Sequence, residues 1–192
     1  MFKKQALLGY MPILAAFLVF GSTAKAQETT TPRYEVGLNY SGLHVNSANY
    51  DYQRTGNGGS GYFEYNLNKT LGLVADFGGY ANTRSGIDEK LMTYLFGPRW
   101  NWRHARLTPY VQFLFGGAYV WNNNLPGGIS RSQNAFATAA GGGLDYTFNN
   151  HIAFKPIQVE YVMTQIDAAN KFGSHQNDIR YSAGVVFRFG SK

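Results

Sequence analysis

The sequence predicts an all-β fold, an eight-stranded antiparallel up-and-down transmembrane β-barrel. Three observations carry that expectation. Eight segments alternate apolar and polar residues with a period of two. The connections between them alternate long and short. The polar face of the segments consists mainly of small uncharged residues, and the lysines avoid it.

The first residues stand apart from the fold. Lys3 and Lys4 precede an apolar run from Ala6 to Phe20, and Ala24-Lys25-Ala26 places small residues where a signal peptidase reads. The run is shorter than the ~20 residues of a membrane-spanning helix. A cleavable signal peptide over residues 1–26 is expected, followed by the barrel over 27–192. The absence of Cys excludes a lipoprotein anchor, disulfides and thiolate metal sites. The net charge of +6 falls to about +3 once Lys3, Lys4 and Lys25 leave, too little to argue for a nucleic-acid partner. Charged residues make up 15% of the chain, against roughly 25% in average soluble domains, while aromatics reach 16%.

The strands follow in order. The first sets Tyr34, Val36, Leu38 and Tyr40 against Glu35, Gly37, Asn39 and Ser41. The second sets Phe63, Tyr65 and Leu67 against Ser60, Tyr62, Glu64 and Asn66. In the third, Leu71, Leu73 and Phe77 oppose Gly72, Asp76 and Gly78. The fourth sets Met92, Tyr94, Phe96 and Trp100 against Thr93, Leu95, Gly97 and Arg99. The fifth sets Val111, Phe113, Phe115 and Tyr119 against Thr108, Tyr110, Gln112 and Gly116. The sixth sets Phe136, Ala140, Leu144 and Tyr146 against Ala137, Gly141, Gly143 and Asp145. The seventh sets Ile157, Val159 and Tyr161 against Gln158, Glu160 and Thr164. The eighth sets Ile179, Tyr181, Val185, Phe187 and Phe189 against Arg180, Ser182, Gly184 and Arg188.

Long polar connections are expected at Val45–Gly59, Ala81–Glu89, Asn122–Asn134 and Asp167–Asn177. Tight ones are expected at Asn68–Thr70, Asn101–Arg106 and Asn149–His151. Short periplasmic turns and longer extracellular loops are the asymmetry of outer-membrane barrels, so both termini are expected in the periplasm.

A secreted soluble barrel also alternates, but its polar face meets water and carries charges of both signs. Here Lys69, Lys90 and Lys171 fall in connections and Lys192 ends the chain. Lys155 enters a strand near its periplasmic start, where snorkelling to the interface is expected. Small polar residues suit a narrow lumen, and large apolar ones suit lipid. Backbone polar groups in a bilayer must all be paired, which requires the sheet to close. Aromatic girdles are expected from Tyr34, Trp100, Trp102, Tyr146 and Phe189 at the periplasmic side, and from Tyr40, Tyr80, Tyr119 and Trp121 at the outer side.

Two stretches carry a resemblance. Leu95-Phe96-Gly97-Pro98-Arg99, followed by Leu107-Thr108-Pro109-Tyr110-Val111, and the final Ser182-x-Gly184-x-x-Phe187-x-Phe189 resemble the small outer-membrane β-barrel family. The OmpA transmembrane domain and OmpX are its familiar members. The resemblance covers roughly the whole mature chain. It implies residence in the bacterial outer membrane and contact with its lipid and lipopolysaccharide. It also implies that Ser182, Gly184, Phe187 and Phe189 form the signal recognised by the outer-membrane insertion machinery. A periplasmic domain of the OmpA type is not expected. A monomer without cofactor is expected.

Eight charged residues fall on the polar face: Glu35, Glu64, Asp76, Arg99, Asp145, Glu160, Arg180 and Arg188. Closure makes the first and last strands neighbours, so Glu35 and Arg188 are expected to face each other. Buried charges are costly unless paired, so a connected charge network is expected. An eight-stranded lumen is just wide enough for side chains to fill, which favours a polar plug over an ion path.

Catalytic signals are weak. His44, with Ser41 and Ser47, and His175, with Ser174 and Asp178, could meet at the outer rim, but without a specific spacing. Metal binding by these histidines has no better support. His104 and His151 lie in opposite-side turns and read as solvated. Gly56-x-Gly58-Gly59 is assigned to an outer loop, and Gly141-Gly142-Gly143 to a strand without a following helix, so neither is a phosphate loop. Tyr50, Tyr52 and Arg54 in the first outer loop are candidate contacts for a surface partner or for lipopolysaccharide sugars. The expected function is therefore non-enzymatic: a structural or surface-interaction role with a largely plugged lumen. A narrow porin-like channel for ions or small solutes is the alternative, and a lipid-modifying enzyme a distant third.

Overall fold

The computed structural model describes residues 31–46, 54–84, 87–125, 129–165 and 175–191. The expected leader, Tyr50 and Tyr52 lie outside the described residues. Eight strands follow one another: β1 (Pro32–Asn46), β2 (Arg54–Asn66), β3 (Leu71–Arg84), β4 (Ile87–Asn101), β5 (Leu107–Leu125), β6 (Ile129–Thr147), β7 (Ile152–Gln165) and β8 (His175–Ser191). Each pairs antiparallel with its sequence neighbours, and β1 pairs with β8 to close the barrel.

The register fixes the barrel's shape. Stepping sideways from Val36 through Phe63, Ala75, Phe96, Phe115, Thr138, Met163 and Asn177 returns to β1 at Asn46, ten residues further on. With ~3.3 Å per residue and ~4.8 Å between strands, that stagger tilts the strands by about 40° and sets a backbone radius of roughly 8 Å. Long side chains from opposite walls therefore meet at the axis.

The alternation read from the sequence gives two faces. Leu38, Phe77, Phe113, Ile157 and Phe189 are exposed on the outside, whereas Glu64, Leu95, Leu114, Gln158 and Arg180 are buried inside. Two outward glycines are covered by tyrosines from the neighbouring strand. The Tyr181 ring lies over Gly42 and the Tyr94 ring over Gly117, so that the aromatic rings fill what would be gaps in the lipid-facing wall.

Two of the short turns, between β2 and β3 and between β6 and β7, share a device. Asn68 Oδ1 accepts hydrogen bonds from the backbone N–H groups of Thr70 and Leu71, both at 2.8 Å. Asn149 Oδ1 does the same for His151 at 2.9 Å and Ile152 at 2.8 Å. An asparagine side chain replaces a backbone carbonyl here and closes each turn. In the turn between β4 and β5, Ala105 adopts a positive φ of 45°.

Three expectations are corrected. The strands run further outward than the apolar alternation does: β2 begins at Arg54, so Gly56, Gly58 and Gly59 belong to a strand and not to a loop. Likewise β5 extends to Leu125 and β6 begins at Ile129. These extensions lack the regular apolar–polar alternation, and hydrogen bonding continues after that signal has stopped. Secondly, Tyr80 is no girdle residue. It shares the inward parity of Asp76 and Gly78, and its hydroxyl accepts a hydrogen bond from Arg180 inside the barrel at 3.2 Å. Thirdly, Lys155 does not snorkel to the interface but is buried in the lumen. The cause is a bulge in β7. Pairing with β8 shifts between Lys155 and Gln158, and Pro156 and Ile157 both face outward, so Lys155 and Gln158 both face in.

Candidate functional site

The lumen is the place where this sequence concentrates chemistry. Among the described residues it holds six acidic side chains, Glu35, Glu64, Asp76, Asp145, Glu160 and Asp178. Five basic ones accompany them, Arg99, Arg103, Lys155, Arg180 and Arg188. The near balance of sign makes pairing possible, and the strand register decides which residues meet.

At the periplasmic end, Glu35 lies directly across β1 and β8 from Arg188, whose Nε is 3.2 Å from Glu35 Oε2. Glu35 Oε1 also accepts from Asn66 Nδ2 at 3.0 Å and from Arg103 Nη2 at 2.7 Å. Arg103 comes from the turn between β4 and β5 and also donates to Asn66 Oδ1 at 2.9 Å, so the turn folds over the mouth. Arg188 Nη1 donates to Thr147 Oγ1 at 2.6 Å.

One layer higher, Glu64 stands beside Glu35 on the paired strand. Two like charges so placed need cations on both sides. Glu64 receives Arg99 Nη1 at 2.7 Å and Asn101 Nδ2 at 2.7 Å. Arg99 Nε donates to Gln112 Oε1 at 2.7 Å, and Gln112 Nε2 passes on to Glu160 Oε1 at 2.6 Å.

The waist is built from two rings and two cations. The Arg99 guanidinium carbon is 4.4 Å from the centroids of both Tyr62 and Tyr110. Lys155 Nζ is 4.5 Å from the Tyr62 ring and 4.4 Å from the Tyr110 ring. Cation–π attraction is strongest where water is excluded, as it is here. Lys155 Nζ also donates to Tyr110 Oη at 2.6 Å and to Gln158 Oε1 at 3.1 Å, and lies 3.6 Å from Asp145 Oδ1. Glycines on the adjacent, paired strands make the space. A Cβ on Gly37 would overlap the Tyr62 ring, one on Gly72 would overlap the Glu64 carboxylate, and one on Gly143 would overlap the Tyr110 hydroxyl.

Above the waist, Arg180 bridges Glu160 of β7, 2.7 Å from Nε, and Asp76 of β3, 2.8 Å from Nη1. Ser41 Oγ lies 2.8 Å from Ser182 Oγ and 3.2 Å from Ser60 Oγ. An apolar cluster fills part of the remaining volume: Leu43, Leu95, Leu114, Ala118, Ala137 and Val162 are buried together.

All eight residues expected on the polar face lie inside the lumen. Arg103, Lys155 and Asp178 were not among them, nor were the uncharged partners Asn66, Asn101, Gln112 and Gln158. The signal for Lys155 lay in Phe154 and Pro156. An outward Phe154 leaves its neighbour facing inward, and a proline within a strand marks a bulge. Ser41 is committed to the lumen, while His44 lies three residues on, at a strand position of opposite facing. Asp178 is buried and inward-facing, and the side chains of Arg54 and His175 are not among those described. Of the expected insertion signal, Ser182 faces the lumen and Phe187 and Phe189 face outward. Among the described residues no group of three or more His, Asp or Glu is arranged to hold a metal ion.

A closed eight-stranded sheet, apolar outside and ion-paired inside, defines a small transmembrane barrel. The family model for the outer membrane protein beta-barrel domain matches residues 13–190, and the chain belongs to that family of the bacterial outer membrane. No curated protein sequence matches it. Among solved structures, it is similar to Neisserial surface protein A at 17% identity, covering 81% of this chain and 97% of that one, with a TM-score of 0.64. It is similar to Ail, the attachment invasion locus protein of Yersinia pestis, at 16% identity over 82% and 99% of the two chains, with a TM-score of 0.60. For OprG of Pseudomonas aeruginosa the values are 12%, 84% and 98%, with a TM-score of 0.52. At these identities the likeness is one of fold.

Proposed function

We propose that this protein is a closed barrel with a structural or surface-interaction role, and neither a channel nor an enzyme. One observation carries the reading. Arg99 and Lys155 are held between the Tyr62 and Tyr110 rings at the waist, where a conducting pore would need water. The four side chains come from β2, β4, β5 and β7, so they reach in from around the ring. Opening a path would separate the cations from both rings and from Glu64 and Asp145.

With the lumen filled, specificity falls to the outer loops, where scaffolds of one fold vary freely. Tyr50 and Tyr52, with Arg54 at the start of β2, are the candidate contacts there. Ail, whose fold this chain shares, is named for attachment and invasion; a surface role of that kind is compatible with the closed lumen.

Planar-bilayer recording tests the proposal. The purified protein should add no stepwise conductance above the leak of the bilayer. Stable single-channel steps from the wild-type protein would overturn it in favour of a narrow porin-like channel.

A further inference from the structure

The turns at the periplasmic end, residues 67–70, 102–106 and 148–151, contain Lys69, Arg103, His104, Arg106 and His151 and no acidic residue. Arg103 is committed to Glu35 in the lumen, whereas Lys69, His104, Arg106 and His151 are exposed. Arg33, at the start of β1, is exposed as well. Among the described residues, the turns at this end therefore carry positive charge without the carboxylates that normally accompany it.

Two of these arginines sit on tyrosines of the lipid-facing belt. Arg33 has its guanidinium carbon 5.6 Å from the Tyr34 ring and 5.8 Å from the Tyr65 ring, and its Nη2 is 3.5 Å from Tyr65 Oη. Arg106 Nη1 is 3.4 Å from Tyr146 Oη. Both hydrogen bonds are long for a cation, and each leaves most of the guanidinium donors turned to the outside. Gly190, with φ of 66°, packs beside the Arg33 stem and leaves it room. The first pair lies on β1 and β2, the second at β5 and β6, so they stand on opposite sides of the ring of eight strands.

The depth of these pairs is that of the aromatic belt, where lipid phosphates lie. A guanidinium offers forked donors that match phosphate, and a tyrosine hydroxyl beside it adds a further donor. We propose that Arg33 with Tyr65, and Arg106 with Tyr146, are two binding sites for the phosphate of anionic glycerophospholipids in the periplasmic leaflet. Net negative headgroups are selected because no carboxylate on the turns opposes them, whereas a zwitterionic headgroup brings its own cation to a basic rim. The proposal does not depend on whether the lumen conducts.

Native mass spectrometry of the detergent-solubilised protein tests it, with dioleoylphosphatidylglycerol as probe and dioleoylphosphatidylcholine as the neutral comparison. The wild-type protein should retain up to two phosphatidylglycerol molecules under conditions that strip phosphatidylcholine. Arg33→Gln and Arg106→Gln should each lose one, with an apparent affinity at the altered site lower by roughly fivefold. The double variant should lose the preference, and Arg33→Lys with Arg106→Lys should keep part of it. Both arginines are exposed, so the variants should fold, which heat-modifiable gel migration checks directly. Equal retention of the two lipids by the wild type, or an unchanged preference in the folded double glutamine variant, would overturn the assignment.

Discussion

Replacing Arg99 by Met removes the central cation of the lumen while keeping most of its volume. Arg99 is 1% exposed and makes contacts of 2.7 Å to both Glu64 and Gln112, with a tyrosine ring on either side. The substitution leaves Glu64 buried with Asn101 as its remaining polar partner and with Glu35 directly across the strand pair. Removing one partner of a buried pair costs about 3–5 kcal/mol, because the other charge stays behind unpaired. Arg99→Met is therefore expected to fall in that range. The companion Glu64→Gln/Arg99→Met neutralises both partners and should recover about 1–3 kcal/mol of the loss, the coupling expected of residues in one ion-paired network.

The assay is equilibrium urea unfolding from phospholipid vesicles, followed by the fluorescence of Trp100 and Trp102, which face outward at the membrane edge. A cost below about 1 kcal/mol for Arg99→Met would refute the reasoning, because a group so placed cannot be both buried and dispensable. A double variant as unstable as the sum of its singles would refute the coupling specifically. Unchanged stability together with a large rise in conductance would reassign Arg99 from plug to gate.

Other expectations follow from the same geometry. Gly37→Ala should destabilise by roughly 1–3 kcal/mol in the same urea assay, because its Cβ would meet the Tyr62 ring. Adding Tyr62→Ala should relieve that strain, and failure of the second change to compensate would show that the overlap is absorbed elsewhere. Arg103→Ala should cost less than Arg99→Met, about 1–3 kcal/mol, since Glu35 keeps Arg188 and Asn66. A cost equal to that of Arg99→Met would mean that the turn holds the periplasmic mouth shut more firmly than its half-buried arginine suggests. Tyr62→Ala combined with Tyr110→Ala empties the waist and should create measurable single-channel steps in planar bilayers. A silent double variant would mean that other side chains seal the lumen.

The barrel was legible because lipid and lumen impose opposite chemistries on alternate residues. Phe63 and Glu64, or Phe113 and Gln112, report their facing without help from tertiary structure. Strand ends were less legible, since beyond the lipid band neither face is required to be apolar, and Asn122 and Arg131 pair without a hydrophobic signature. The partners of the lumen charges were legible only where topology made them adjacent. Glu35 and Arg188 follow from closure, but Asp76 and Arg180 meet across the lumen, from β3 to β8, at a distance that depends on barrel stagger. Lys155 was misplaced because a single bulge exchanges the two faces of a strand, and Phe154 and Pro156 were its only traces in the sequence.

The same dependence explains what an ion-paired interior contributes to this fold. The lipid-facing side is uniformly apolar, so it gives little information on which residues of neighbouring strands should pair. A slip by one residue would turn charges into lipid, at about 2–4 kcal/mol for each Arg or Lys near the midplane. A slip by two residues would leave every side chain on its correct face, and the lipid could not oppose it. The lumen can. Glu64 of β2 binds Arg99 of β4, Arg180 of β8 binds Asp76 of β3, and Lys155 of β7 binds Tyr110 of β5. None of these partners lies on an adjacent strand, so any two-residue slip between them misaligns at least one charged bond inside a dry interior. The charges thus select one stagger among those that satisfy the alternation, and the filling of the lumen is a consequence of that selection. A barrel specified in this way has little freedom left inside it, in keeping with the closed lumen proposed for it.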